Sequence, residues 1–222
     1  MKRIIIKTDD GSSSIYLPDL DEHYHSIHGA IIEAFHVFIK NGLDLFEKGS
    51  KIDILEIGFG TGLNCFITFL ESQKRNLKIN YTGIEAFPLK EEEISQLNYV
   101  EELDAVDYKK IFAKIHQIEW GKQTKINKDF DLLKKEIFFK EVNDENQFDL
   151  IFYDAFGARV QPDLWTEEIF KKMFSALKNN GILVTYSAKG SVRRAMQSVG
   201  FLVERLPGPP GKREMLRAKK II

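Results

Sequence analysis

The chain has 222 residues, 43% hydrophobic and 29% charged, with a formal net charge of −1. Such a chain is expected to form one globular domain with a small appendage, burying a full core without staples, since the single cysteine, Cys65, has no partner for an internal disulfide. No apolar run approaches the length that spans a bilayer, and the N-terminal MKRIIIKTDD lacks the apolar stretch of a secretory signal, so the expected address is the cytoplasm with no membrane partner.

Taken in order, residues 2–7 and 14–17 read as short strands around Asp10-Gly11, and 26–40 as an amphipathic helix with Ile31, Ala34, Phe35 and Phe38 on its buried stripe. Residues 1–45 are expected to form a small N-terminal β/α extension packed on a main domain over 46–222. An apolar strand at 52–57 leads to a helix over 62–74, and a strand at 79–84 leads to a helix opening at Pro88, where the first turn tolerates proline. Residues 99–147 are weakly patterned, with a helix across 101–115 and a strand near 130–135. Phe148 to Asp154 reads as a strand buried on both faces and ending in an acid. A helix over 166–178 follows, with Thr166 as N-cap and Ile169, Phe170, Met173, Phe174 and Leu177 facing inward. Gly181 releases the chain into a strand over 182–186, Ser191 caps another helix that Gly200 ends, and strands 201–206 and 214–219 close as a hairpin around Pro207-Gly208-Pro209-Pro210-Gly211. The alternation predicts an α/β fold: an open, mostly parallel sheet with helices on both faces and an antiparallel C-terminal hairpin.

The densest chemical signal is the turn Glu56-Ile57-Gly58-Phe59-Gly60-Thr61-Gly62 between a strand and a helix. Glycine serves there because the backbone must take unusual dihedrals and admit a ligand where a Cβ would collide. The helix that opens near Asn64 points its free N–H groups into the same crevice. In the dinucleotide fingerprint G-x-G-x-x-G the third glycine permits close packing beneath a pyrophosphate; here it comes one residue early, at Gly62, and Leu63 holds the fingerprint position, which disfavours NAD and FAD. Glu85 lies 23 residues beyond Gly62, near where such folds place the acid that accepts both ribose hydroxyls. The pattern resembles the first motif of class I methyltransferases. That resemblance implies S-adenosylmethionine as cofactor, with Gly58, Gly60, Gly62, Asn64 and Glu85 as its binding residues. The glycine turn, Glu85, Asp154 and Tyr186 all fall at carboxyl ends of strands, where ligands of open α/β sheets sit.

Charge is unevenly distributed. From Ala188 onward nine basic side chains face two acids, which leaves an excess of eight negative charges on the rest of the chain. A local basic surface on an acidic protein suits a polyanion-binding enzyme, and Arg193, Arg194, Lys212 and Arg213 are the candidates for phosphate contacts. Four of the five histidines, His23, His25, His28 and His36, fall in one short stretch, yet no cysteine or paired carboxylate completes a ligand set, so no metal is expected. Tyr24 and His25 are candidates to line the pocket mouth, and Tyr186 to border the same crevice.

The segment from Asp154 through Phe156, Gly157, Arg159, Pro162 and Trp165 to Thr166, with Val192-Arg193-Arg194, Gly200-Phe201, Gly211-Lys212-Arg213-Glu214-Met215 and the upstream Tyr24-His25-Ser26 and Glu33, resembles the methyltransferases of tRNA wobble-uridine modification. The resemblance covers nearly the whole chain. It implies methylation of 5-aminomethyl-2-thiouridine to 5-methylaminomethyl-2-thiouridine, tRNA as the partner, and an upstream wobble-uridine modification enzyme as supplier. It also implies the stand-alone form, without the flavin-dependent oxidase half of the bifunctional relatives. Many relatives carry Ala-Pro where this chain has Gly157-Ala158, so the rim of the substrate pocket departs from the family pattern.

Methyl transfer to a primary amine is an in-line displacement that needs alignment and no covalent residue. The amine must be neutral, whereas a free alkylamine with a pKa of roughly 10 is almost wholly protonated near neutrality. Asp154 is the catalytic candidate, placed either to grip the amine and pass on its proton or to hold the cofactor's own amino group. Two other functions fit parts of the pattern. An aminopropyl transferase of polyamine synthesis shares the fold, the turn and a strand-end aspartate but has no use for the basic tail; a non-catalytic tRNA-binding protein has no use for the intact turn and Glu85.

Overall fold

The computed structural model describes residues 2–221. The chain opens on a small antiparallel sheet in which β1 (Ile4–Lys7) pairs with β2 (Ser13–Leu17) and β2 with β3 (Glu22–His23). Asp10 shapes the first turn by accepting from the Thr8 hydroxyl at 2.7 Å and the Ser12 amide at 3.1 Å. The Ser13 amide and hydroxyl both donate to Asn98 Oδ1 at 2.7 Å, which ties this sheet to the middle of the chain.

The helix expected over 26–40 starts later and changes pitch. Ser26 donates its amide to Glu33 Oε2 at 2.9 Å, α1 spans Ala30–Ala34, and a π-helical segment continues through Phe35–Lys40. Ala34 and Phe38 are buried, but Ile31 and Phe35 are only half-buried, because the buried stripe runs through Ala30, Ala34, Val37 and Phe38.

The main sheet contains β4 (Lys51–Ile57), β5 (Lys78–Glu85), β6 (Thr124–Asn127), β7 (Phe130–Glu136), β8 (Phe148–Tyr153), β9 (Leu177–Thr185), β10 (Phe201–Pro207) and β11 (Glu214–Lys220). Their order is β10-β11-β9-β8-β4-β5-β7-β6, with β4, β5, β7, β8 and β9 parallel and both edges antiparallel. This is the α/β architecture expected from the alternation. The helices are α2 (Leu63–Arg75), α3 (Glu91–Ile94), α4 (Tyr99–Glu102), α5 (Lys109–Gln117), α6 (Glu167–Ala176) and α7 (Gly190–Ser198). Because successive side chains of a strand point to opposite faces, Leu150 and Phe152 of β8 join a core with Phe66 and Phe130, while Ile151 and Tyr153 join a second with Phe170 and Met196.

Several boundaries differ from expectation for identifiable reasons. The helix placed at Pro88 begins at Glu91, where Glu93 Oε2 accepts the Lys90 amide at 2.8 Å and fixes the start. The helix placed at 101–115 breaks into α4, one 3-10 turn over Val106–Tyr108 and α5, since Asp104 takes a left-handed φ of 49° that a continuous helix forbids. The strand near 130–135 is β7, and the adjoining β6 was not foreseen. Helix α6 carries the expected Thr166 cap, its hydroxyl accepting from the Ile169 amide at 3.5 Å, but stops at Ala176; Leu177 already pairs with Phe148, and Asn180 at φ 65° bulges the strand before Ile182 meets Leu150. Ser191 does not cap α7: the cap position is Lys189, with no side-chain cap bond. No helix among the described residues is long and apolar enough to cross a membrane.

Candidate active site

Strand β4 carries the chain to the carboxyl edge of the sheet, where Gly58 turns it at φ 91°. A Cβ on Gly58 would collide with the Asp154 carbonyl oxygen, so the ends of β4 and β8 meet backbone to backbone. Gly60 and Gly62 continue the turn at φ 49° and 72°. Gly83, which the sequence reading did not single out, leaves room for the Phe59 ring to fold beneath the turn; a Cβ there would strike it. Glu85, at the end of β5, accepts from the Gly60 amide at 3.0 Å through Oε2 and from the Phe87 amide at 2.9 Å through Oε1. The expected ribose acid is thus fixed against the turn by two backbone donors.

Behind the turn, Glu56 is fully buried. Its two oxygens accept from Asn64 Nδ2 and the Tyr81 hydroxyl, each at 2.9 Å. Burial, with the Asp154 charge added, pushes this carboxyl well above the usual range and favours its neutral acid form. Asn64 Nδ2 also donates to Asp154 Oδ2 at 2.9 Å, so one amide bridges two acids, while its Oδ1 is buried with no partner. Burial lifts the Asp154 carboxyl to about 7, the Glu33 charge adding to the rise and the Asn64 bond and Lys212 opposing it. A group with that proton affinity exchanges a proton readily near neutrality.

Tyr24 and His25 reach the same place from just beyond β3. His25 Nδ1 lies 3.1 Å from Ser14 Oγ and its Nε2 3.4 Å from Thr61 Oγ1, and burial lowers the imidazole to about 4, so the ring is neutral near pH 7. Tyr24 packs edge-on against Phe156, with ring centroids 5.0 Å apart. Tyr186, just past β9, donates its hydroxyl to the Ala155 carbonyl at 2.8 Å.

Lys212 is placed differently from a surface phosphate contact. Its ammonium is paired with Glu33, itself 7% exposed, and sits 3.9 Å from the centre of the Tyr186 ring, so carboxylate and π-face both meet its charge. Arg194 and Arg213 are exposed and Arg193 is half-buried with an unpartnered Nε; none of the three joins an ion pair among the described residues. Other basic residues of the tail are met internally: Arg205 lies 3.6 Å from Glu214, Arg217 2.7 Å from Glu204, and the buried Lys220 donates to the Leu177 carbonyl at 2.7 Å. The clustered histidines also part company. His23 stacks on Tyr16 with centroids 4.7 Å apart, His28 Nδ1 lies 3.2 Å from Asp9, and His36 Nε2 donates to the Pro207 carbonyl at 2.8 Å. No metal-binding group of three converges among the described residues.

A cavity of about 450 Å³ is walled by Tyr24, His25, Gly58, Gly60, Asn64, Glu85 and Asp154, with the exposed, edge-packed Phe87 and Phe138 at its rim; Gly62 and Tyr186, expected at the same crevice, do not line it, because Gly62 faces His116 and Phe59 and Tyr186 borders a separate cleft. The rim pair was missed in the sequence; its one local signal is Phe87 two residues after Glu85. The Cβ-free turn, Glu85, the orphaned Asn64 Oδ1 and Asp154 offer acceptors to a ligand rich in O–H and N–H donors and carrying positive charge, which fits a sulfonium nucleoside.

Comparison with known proteins gives a consistent assignment. Residues 96–221 match the model of a family described as S-adenosyl-L-methionine-dependent methyltransferase. The chain is 30% identical over 226 aligned residues to the tRNA 5-methylaminomethyl-2-thiouridine biosynthesis bifunctional protein MnmC of Actinobacillus pleuropneumoniae, and 31% identical over 210 to the protein of the same name from Leptospira interrogans. These alignments cover 90% and 88% of this chain and 32% of each relative, so the chain spans about a third of the length of the curated relatives it matches. The crystal structure of MNMC2 from Aquifex aeolicus superimposes with a TM-score of 0.77 at 24% identity, covering 98% of this chain and 70% of that one. Spermidine synthase from Thermotoga maritima gives 0.54 at 16%, covering 98% and 72%. Both structural likenesses are of fold.

Proposed function

The chain belongs to the S-adenosyl-L-methionine-dependent methyltransferases, and from that premise we propose that it methylates the primary amine of 5-aminomethyl-2-thiouridine at the wobble position of tRNA. The observation that carries the reading is Asp154, a carboxyl of proton affinity near 7 at the wall of the cavity, beside the glycine turn. The named relatives, which act in the biosynthesis of the corresponding methylaminomethyl nucleoside, supply the substrate class.

S-adenosylmethionine, when bound, supplies an electrophilic methyl group on a sulfonium. The backbone of Gly58 and Gly60 lets the nucleoside part lie against the turn that Gly62 completes, Asn64 offers its free Oδ1 to an N–H donor, and Glu85 turns its remaining lone pairs toward ribose hydroxyls. Asp154 orients the target amine and accepts the proton that the nitrogen must shed; near pH 7 about half of the carboxyl is ionised and able to do so. Tyr24 and His25 bound the substrate side, with His25 contributing a neutral ring that does not compete for that proton, while Tyr186 holds the loop after Asp154 through its bond to the Ala155 carbonyl. Arg193, Arg194 and Arg213 provide positive charge for the tRNA backbone. An enzyme that installs the aminomethyl group must act first.

Two variants and one alternative substrate test the proposal. Gly60→Trp, which drives a ring toward Tyr24, is expected to lose cofactor binding by calorimetry. Asp154→Ala is expected to keep cofactor binding and lose methyl transfer to RNA containing 5-aminomethyluridine. Equal loss of cofactor binding in both would move Asp154 to the cofactor's own amino group, and aminopropyl transfer to putrescine from the decarboxylated donor would replace the proposed reaction.

A further inference from the structure

Next to the Asp154 cavity lies a second cleft, of about 460 Å³, between the loop after β8 and the end of the hairpin turn. Small residues keep it open: Gly157, Ala158 and Ala188 line it, and a Cβ on Gly157 would meet nothing nearer than the Tyr186 hydroxyl at 3.7 Å. Its charged residues are Arg159, Lys189, Lys212, Arg213 and Glu214. Pairing sorts them. Lys212 is met by Glu33, and Glu214 by Arg205 at 3.6 Å. Arg159 lies 3.1 Å from Glu22 with its side chain 62% exposed, a solvated pair of little strength that an incoming anion can open. Lys189 and Arg213 are exposed and join no ion pair among the described residues, so they carry the uncompensated charge. Helix α7 starts at the same rim, its first-turn amides without a side-chain cap. Tyr186 lines this cleft, and its hydroxyl is bonded to the carbonyl of Ala155, which follows Asp154 and lines the catalytic cavity.

We infer that this cleft seats a backbone phosphate flanking the methylated uridine, with Lys189 and Arg213 as its contacts; the inference rests on the tRNA reading above. An enzyme that works on a base must take it out of the stack, and the neighbouring phosphates move with it. Phosphate contacts carry no sequence information but fix register. A seat one side chain away from Asp154 therefore sets how far the wobble base reaches into the site, while Lys212, already neutralised, holds the wall in place.

The test follows binding and methylation of an anticodon stem-loop RNA carrying 5-aminomethyluridine, across a salt series. Wild type is compared with Lys189→Gln/Arg213→Gln, with Ala188→Glu, which puts an acid in the cleft, and with the charge-matched Lys78→Gln/Lys110→Gln, whose lysines are exposed on β5 and α5. The cleft double variant is expected to raise KM for the stem-loop about tenfold or more and to flatten the slope of log KM against log salt by about 1 to 2, with kcat and cofactor affinity unchanged. Ala188→Glu raises KM likewise, the charge-matched control changes nothing, and the free nucleoside, which has no phosphate, is methylated equally by wild type and double variant. Wild-type KM and slope in both cleft variants overturn the inference and leave the tRNA reading standing. RNA binding that the double variant weakens, without methylation by any form, upholds the cleft and overturns the reading; RNA neither bound nor methylated by wild type overturns both.

Discussion

Asp154→Asn should stabilise the ligand-free fold while abolishing methyl transfer, and the stabilisation should grow with pH. The carboxyl titrates at about 7 in the folded protein against an ordinary 3.8, chiefly because burial disfavours its charge. Between those values the folded protein keeps a proton that the unfolded chain has released, so stability falls as pH rises, by about 1.4 kcal/mol per unit, and the penalty is complete above the folded value. Over the whole span between those two values this amounts to about 4.4 kcal/mol at most. The side chain keeps some solvent contact at the cavity wall, which screens more than half of that ceiling and leaves about 1–2 kcal/mol. Asparagine preserves the shape and can still accept from Asn64 Nδ2 through its amide oxygen, with no charge to bury. At roughly 2–4 °C per kcal/mol for a chain of this size, the variant should melt about 2–8 °C above wild type near pH 8, and the gap should close toward pH 4. Thermal melts by circular dichroism across that range read the gap directly. A gap that does not change with pH, or a wild type that is the more stable protein at high pH, would refute the raised proton affinity.

Other outcomes follow from single contacts. Gly58→Ala forces a Cβ into the Asp154 carbonyl at a φ of 91°, so it should lose about 1–2 kcal/mol from the dihedral alone and bind cofactor at least about tenfold more weakly; wild-type affinity by calorimetry would show that the strand ends need not touch. Glu56→Gln should leave stability within about 1 kcal/mol, because the buried group already favours its neutral form, whereas Glu56→Ala should cost about 2–4 kcal/mol by stranding Asn64 and the Tyr81 hydroxyl; urea denaturation distinguishes them. Glu33→Gln removes a negative charge that raises the Asp154 value, so the acidic limb of kcat/KM should move to lower pH, and Lys212→Met should move it up; a limb that stays put in both variants would disprove the coupling.

How much of this was visible in the sequence depends on how locally each feature is specified. The turn from Gly58 to Gly62 and the acid at Glu85 are legible because a tight turn, a helix start and the end of the next strand restrict residue type over a short span. Asp154 and Tyr186 are legible as strand ends. Glu56 is not: in the sequence it is one more member of a buried strand, and its partners Asn64 and Tyr81 come from the next helix and the next strand. Gly83 announces a close approach without saying that Phe59 makes it. The pair of Glu33 and Lys212 joins residues 179 positions apart, which no local pattern contains, and so Lys212 reads as a surface charge until the fold brings it to Tyr186. The apolar spacing through 101–115 reads as one helix because nothing in it signals the left-handed backbone at Asp104. The motifs of the second half, Asp154 to Thr166 and Gly211 to Met215, carry the resemblance to wobble-uridine methyltransferases, and the relatives at about 30% identity agree with it.

The most direct test of the proposed reaction is incubation of the purified protein with methyl-labelled S-adenosylmethionine and bulk tRNA from cells lacking the wobble methyl group, followed by nucleoside analysis. Label should appear in 5-methylaminomethyl-2-thiouridine and disappear with Asp154→Ala. Label absent from wobble uridines, or present in them without dependence on Asp154, would contradict the assignment.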